Sequence, residues 1–95
     1  MRKYEVMYII RTDIDDEVVQ STIEKFKNVI TNGSGEITKH DTLGKRRLAY
    51  EISKFRDGHY VLVKFTADSS VVTELDRLLK ISDEVIRFLI TKDVA

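Results

Sequence analysis

Basic side chains crowd one stretch of the chain. Lys39, Lys45, Arg46, Arg47, Lys54 and Arg56 fall within residues 39–56, where the only acids before Asp57 are Asp41 and Glu51. Such a run suits anions, because Arg can offer a planar pair of donors to one phosphate or stack on a base, and Lys brings a compact positive charge. Lys45, Arg46, Arg47, Lys54 and Arg56 are therefore the phosphate candidates, with Arg2, Lys3 and Arg87 as a second, scattered set. The same run also fits a solvated edge strand whose cations pair with Asp41, Glu51 or Asp57, since charge runs usually face water. One arginine of the pair at 46 and 47 is expected to serve the fold and not a ligand.

Other chemistry lacks its parts. His40 and His59 are the only histidines, and neither has a second histidine or a cysteine at metal-ligand spacing, so both read as surface or packing residues. The chain has no cysteine, which excludes disulfides, thiolate metal sites and cysteine nucleophiles and makes the cytoplasm the default compartment. No nucleophile elbow, phosphate-binding loop, zinc-protease motif or dinucleotide fingerprint occurs. No cofactor, no metal and no small-molecule substrate are expected.

Net charge is zero, which at first argues against a nucleic-acid partner. The distribution argues the other way: residues 13–24 hold five acids and no base, so the basic run is a local feature of a neutral molecule. Screening limits each charge to a reach of roughly 8 to 10 Å, so such a feature can attract phosphate by itself. Apolar residues at 42% and charged residues at 34% of 95 residues describe one folded domain with a charged surface. The opening MRKYEVMYII is followed by acids and is far short of about 20 apolar residues, so no targeting or membrane segment is expected.

The elements that must carry these residues follow from periodicity. Tyr4, Val6, Tyr8 and Ile10 alternate with Lys3, Glu5, Met7 and Ile9, a strand with one wholly apolar face. Asp13, Asp15 and Asp16 offer caps to a helix carrying Val19, Ile23, Phe26 and Ile30, which Asn32 and Gly33 end. Residues 36–52 form a long second strand in which the apolar parity changes, Ile37 and Leu43 being odd and Leu48, Tyr50 and Ile52 even. A bulge at Gly44 would restore the face, and a hairpin turn at Gly44 and Lys45 is the competing reading.

A turn over 54–58 leads to a third strand over 59–67, with Val61, Val63 and Phe65 on one face and Tyr60, Leu62 and Lys64 on the other. Asp68 or Ser69 caps a second helix with Val72, Leu75 and Leu79, and a last strand over 85–92 sets Ile86, Phe88 and Ile90 against Arg87, Leu89 and Thr91. The βαββαβ order predicts an α+β ferredoxin-like sandwich: a four-stranded antiparallel sheet, order 4-1-3-2, with both helices on one face. The apolar first and third strands belong in the centre and the charged second and fourth at the edges.

The uncovered face would then present Lys3, Glu5, Met7, Ile9, Tyr60, Leu62, Arg87 and Leu89. Met7, Ile9, Tyr60, Leu62 and Leu89, ringed by charge, have the anatomy of a protein interface, although scattered surface hydrophobes are also ordinary. Glu5 and Arg87 could pair across the first and fourth strands.

GKRRLAY at 44–50 and GHYVLVKF at 58–65, with MRKYEVMYII, GEI at 35–37, EL at 74–75 and VIRFL at 85–89, resemble the bacterial ribosomal protein S six family over nearly the whole chain. The resemblance implies a non-enzymatic component of the small subunit that pairs with ribosomal protein S eighteen and binds the central domain of small-subunit ribosomal RNA. Leu43 stands where many members have tryptophan, Glu51 where proline is common after LAY, and Thr12 where proline often precedes the first helix. None of these removes a basic residue. A free-standing RNA binder of the RRM type shares the architecture but needs aromatics where Met7, Ile9 and Leu62 stand. An acylphosphatase-like enzyme needs an anion cradle after the first strand, and here that loop reads RTDIDDE. The isolated chain is expected to be a monomer.

Overall fold

The computed structural model describes residues 1–52 and 55–92, the side chains of 49–52 excepted. The elements are β1 (Arg2–Ile10), α1 (Asp16–Asn32), β2 (Glu36–Ile52), β3 (Phe55–Ala67), α2 (Ser69–Ile81) and β4 (Val85–Lys92). The sheet runs β2-β3-β1-β4 with every neighbouring pair antiparallel, which is the expected ferredoxin-like order. β3 starts at Phe55, so the expected turn over 54–58 is mostly strand.

The core lies between the sheet and both helices. Tyr4, Val6, Tyr8 and Ile10 of β1 and Val61, Val63, Phe65 and Ala67 of β3 meet Val19, Ile23, Phe26 and Ile30 of α1 and Val71, Leu75 and Leu79 of α2. At about 25 cal/mol per Å² of apolar area this burial is the main drive for folding. α2 is turned slightly from the expected phase: Val71 is buried, and Val72 packs at the margin. Asp15 and Asp68 occupy the N-cap positions without a side-chain cap bond, so their contribution there is charge near the helix start.

Bulges decide which side chains face the core. In β2 the pairing skips Thr38 and then Leu43, so Ile37, His40, Thr42, Lys45 and Arg47 share a side. Gly44, at φ 81°, takes the conformation that the second bulge requires and that L side chains disfavour. Ahead of Arg47 the expected single bulge becomes two, whose effects on parity cancel, and a third shift lies between Arg47 and Ile52. Leu48 therefore falls on the side of Gly58 and Tyr60, opposite the helices, and not beside Ile37 as a single bulge would have it. β4 has a further shift in which Ile86 is skipped, so Val85 joins Phe88 and Ile90 against the core in place of Ile86.

Candidate nucleic-acid interface

The register of β1 with β3 ends at Ile10 opposite His59, while β3 continues back to Phe55 and β2 on to Ile52. Two strands thus run beyond the sheet as a ribbon, and this ribbon carries the basic run. Two-stranded ribbons twist more strongly than sheets. Lys45 lies opposite His59, Arg46 opposite Gly58 and Arg47 opposite Asp57. Alternation puts Lys45 and Arg47 on one side of the ribbon and Arg46 and Arg56 on the other.

All four are exposed, and among the described residues none forms an ion pair. Asp41, a possible partner, is engaged by Lys39 at 3.4 Å. The Arg46 Nε donates to the Leu43 carbonyl oxygen at 3.4 Å, a long bond back to the bulge, so Arg46 is the arginine that touches its own fold. Lys54 lies outside the described residues.

Arg2 and Lys3 are not gathered with the ribbon. They begin β1, opposite Ala67 and Thr66, while the ribbon leaves from its far end; eight strand residues separate these ends by about 25 Å. Arg87, exposed and opposite Ile9, lies at the ribbon's end of the sheet. Glu5 lies opposite Lys64 and Thr91, so the cross-strand register does not place it against Arg87.

The open face is ordered in rows. Leu62, Met7 and Leu89 lie side by side across β3, β1 and β4. Lys64, Glu5 and Thr91 form the row on one side, and Tyr60, Ile9 and Arg87 the row on the other. Leu89 is 57% exposed, and Met7, Tyr60 and Leu62 are half-buried. Ile9 departs from expectation: it is 5% exposed and offers no surface to a partner. The ribbon is the cause, because its backbone at Gly58 lies on Ile9 so closely that a Cβ there would stand 2.1 Å from the Ile9 Cγ2. Leu48 is also buried, outside the helix-side core.

Arg11 and Phe55 were not singled out by the basic run, although they shape this corner. Arg11 follows β1 directly; its Nε and Nη2 donate to the two carboxylate oxygens of Asp13 at 2.6 and 2.8 Å, and its guanidinium carbon stands 5.0 Å from the centre of the Phe55 ring. The guanidinium holds the Asp13 carboxyl below its ordinary range. The one sequence signal is an Arg two residues before an Asp at the end of an apolar strand.

The fold and this surface define a small α+β sandwich with an extended basic ribbon and an apolar row on its open face. Among the described residues no group of three or more His, Cys, Asp or Glu could hold a metal ion, and no helix is long and apolar enough to cross a membrane. Residues 3–92 match the family described as Ribosomal protein S6. The small ribosomal subunit protein bS6 of Exiguobacterium sp. is 52% identical and that of Halalkalibacterium halodurans 54% identical, each over 98% of both chains. The crystal structure of 30S ribosomal protein S6 from Thermotoga maritima superposes with a TM-score of 0.92 at 32% identity, covering 97% of this chain and 87% of that one. The chain belongs to the ribosomal protein S6 family. It is a structural component of the small ribosomal subunit and not an enzyme.

Proposed function

We propose that the chain holds two ligands at once: the open face pairs with ribosomal protein S eighteen, and the ribbon contacts phosphates of the central domain of small-subunit ribosomal RNA. The observation that carries this reading is the apolar row of Leu62, Met7 and Leu89, bordered by Lys64 and Glu5 on one side and by Tyr60 and Arg87 on the other, beside a ribbon whose Lys45, Arg47 and Arg56 have no ion-pair partner among the described residues. Apolar side chains half in water gain by being covered, and free cations gain by meeting phosphate. Tyr60, in the adjacent row, extends the protein interface towards the ribbon, Arg87 extends the basic surface, and Lys54 is a further phosphate candidate by its place in the sequence. Arg46 contributes while tethered to Leu43, and Arg2 and Lys3 would reach only a separate RNA segment. Before assembly the chain is a cytoplasmic monomer that needs no cofactor.

The test of the pairing is calorimetric. Leu62→Asp places a carboxylate at the β3 end of the row, and covering Leu contributes about 1.5 to 3 kcal/mol, so affinity for S eighteen should fall by about tenfold or more. Equal heats and affinities for the variant and the parent would remove the open face from the interface.

A further inference from the structure

A phosphate-binding cation is useful only if its direction is fixed before binding, since ordering it afterwards subtracts from affinity. The ribbon has no third strand along residues 55–58 and no helix-side core residue there, and an isolated two-stranded hairpin is marginal in water. Something must set its angle to the sheet. Two contacts reach it from β1's end: the Gly58 backbone on Ile9, and the Arg11 guanidinium over the Phe55 ring.

We propose that Arg11 is the positioning residue of the basic ribbon, locked by Asp13 and stacked on Phe55 so that Arg56 and the facing Arg46 and Arg47 keep one orientation. Three contacts make up the linkage. The Arg11 backbone N–H donates to the Glu84 carbonyl oxygen at 2.9 Å, tying it to the connection before β4. Its guanidinium takes both Asp13 oxygens, which fixes the plane of the group. That plane lies within cation–π range of Phe55, the first residue of β3 and the neighbour of Arg56. Lysine could supply the charge but not the two-point lock that holds the cation over the ring. Arg11 itself touches no phosphate in this account; it acts through Phe55.

The inference uses the RNA reading of the ribbon for its purpose, and its test separates the two. Amide hydrogen exchange is measured on the free protein at residues 45–47 and 57–59, for the parent, Arg11→Lys, Phe55→Leu and Phe55→Tyr. Losing a cation–π contact at an exposed site should speed ribbon exchange by about two- to fivefold in Arg11→Lys and Phe55→Leu. Residues 4–8 and 61–65 should stay unchanged, and Phe55→Tyr, which keeps the ring, should restore protection. Unchanged ribbon exchange in Arg11→Lys and Phe55→Leu, or an equal acceleration across the whole sheet, would overturn the proposal. In a second arm, Phe55→Leu in the complex with S eighteen should weaken RNA binding without altering its salt dependence, because no cation is lost. If Phe55→Leu binds RNA as the parent does while ribbon alanine variants bind more weakly, the positioning role is wrong. If the alanine variants also bind normally, the RNA reading fails, and the exchange data alone decide whether Arg11 orients the ribbon.

Discussion

The turn after α1 shows how single residues divide the work. Ser34, and not either flanking glycine, holds the left-handed conformation, at φ 64°. Gly33 and Gly35 are there for room: a Cβ on Gly35 would stand 2.7 Å from the Ile30 carbonyl oxygen, and one on Gly33 2.5 Å from the Val71 Cγ2. Because a backbone oxygen cannot step aside cheaply, Gly35→Ala should lower stability by about 1 to 3 kcal/mol in chemical denaturation. Tyr8 behaves differently. Its hydroxyl is buried without a hydrogen-bond partner, and burial raises its pKa, while its ring packs edge-on against Phe26. Tyr8→Phe keeps the ring and removes the unsatisfied group, so stability should hold or rise; a loss above about 1 kcal/mol would mean that the hydroxyl is bonded in solution. His40 has a buried, unpartnered Nε2, and desolvation lowers its pKa, with Lys27 acting in the same direction and Asp41 and Glu24 against it. As pH falls through 6.5 the unfolded chain takes up this proton first, so stability should fall on acidification until the folded histidine also titrates. His40→Gln should flatten that part of the stability curve, and an unchanged curve would show that His40 is freely hydrated.

At the scale of elements, β3 is the sharpest test of the architecture, because neighbouring residues on it face opposite environments. Val63 is 2% exposed under the helices, and Leu62 lies on the open face. Val63→Asp buries an unpaired carboxylate, which costs several kcal/mol out of a total of about 5 to 15, so the variant should not fold. Leu62→Asp should keep a normal thermal transition by circular dichroism. If both variants unfold alike, the two faces are not as distinct as the register makes them. This part of the fold was legible in the sequence: Tyr4, Val6, Tyr8 and Ile10 and their counterparts on β3 alternate without a break, and strict alternation allows one assignment. β2 and β4 were legible only in part. A bulge leaves no signature in a run of mixed polarity unless a glycine marks it, so Gly44 was visible while Thr38 and Ile86 were not. Leu48 and Ile86 changed sides as a result. Ile9 reads as exposed by alternation, and its burial depends on how the ribbon bends, a tertiary fact that no local pattern carries.

For the whole molecule, neutrality is the fact that limits everything else. With zero net charge the long-range attraction to RNA is weak, so the proposed contact rests chiefly on the cations of the ribbon, which are divided between its two sides. Arg2 and Lys3 lie at the other end of β1, so the sheet does not pool its basic residues into one patch. On the proposed reading a few phosphate contacts of this kind would give modest affinity, and the partner proposed for the open face would supply the rest. Each neutralised phosphate contributes nearly one unit to the slope of log K against log salt, and about two to three contacts should contribute a slope of about −2 to −3. The most direct test of this account measures central-domain RNA binding across a salt series. The complex with S eighteen is compared as parent and with Lys45→Ala, Arg47→Ala and Arg56→Ala combined, after confirming that the two proteins still pair. Weaker binding and a slope shallower by about two to three units are expected. The same slope and the same affinity in parent and variant would contradict the proposed reading, placing the RNA contact elsewhere on the molecule.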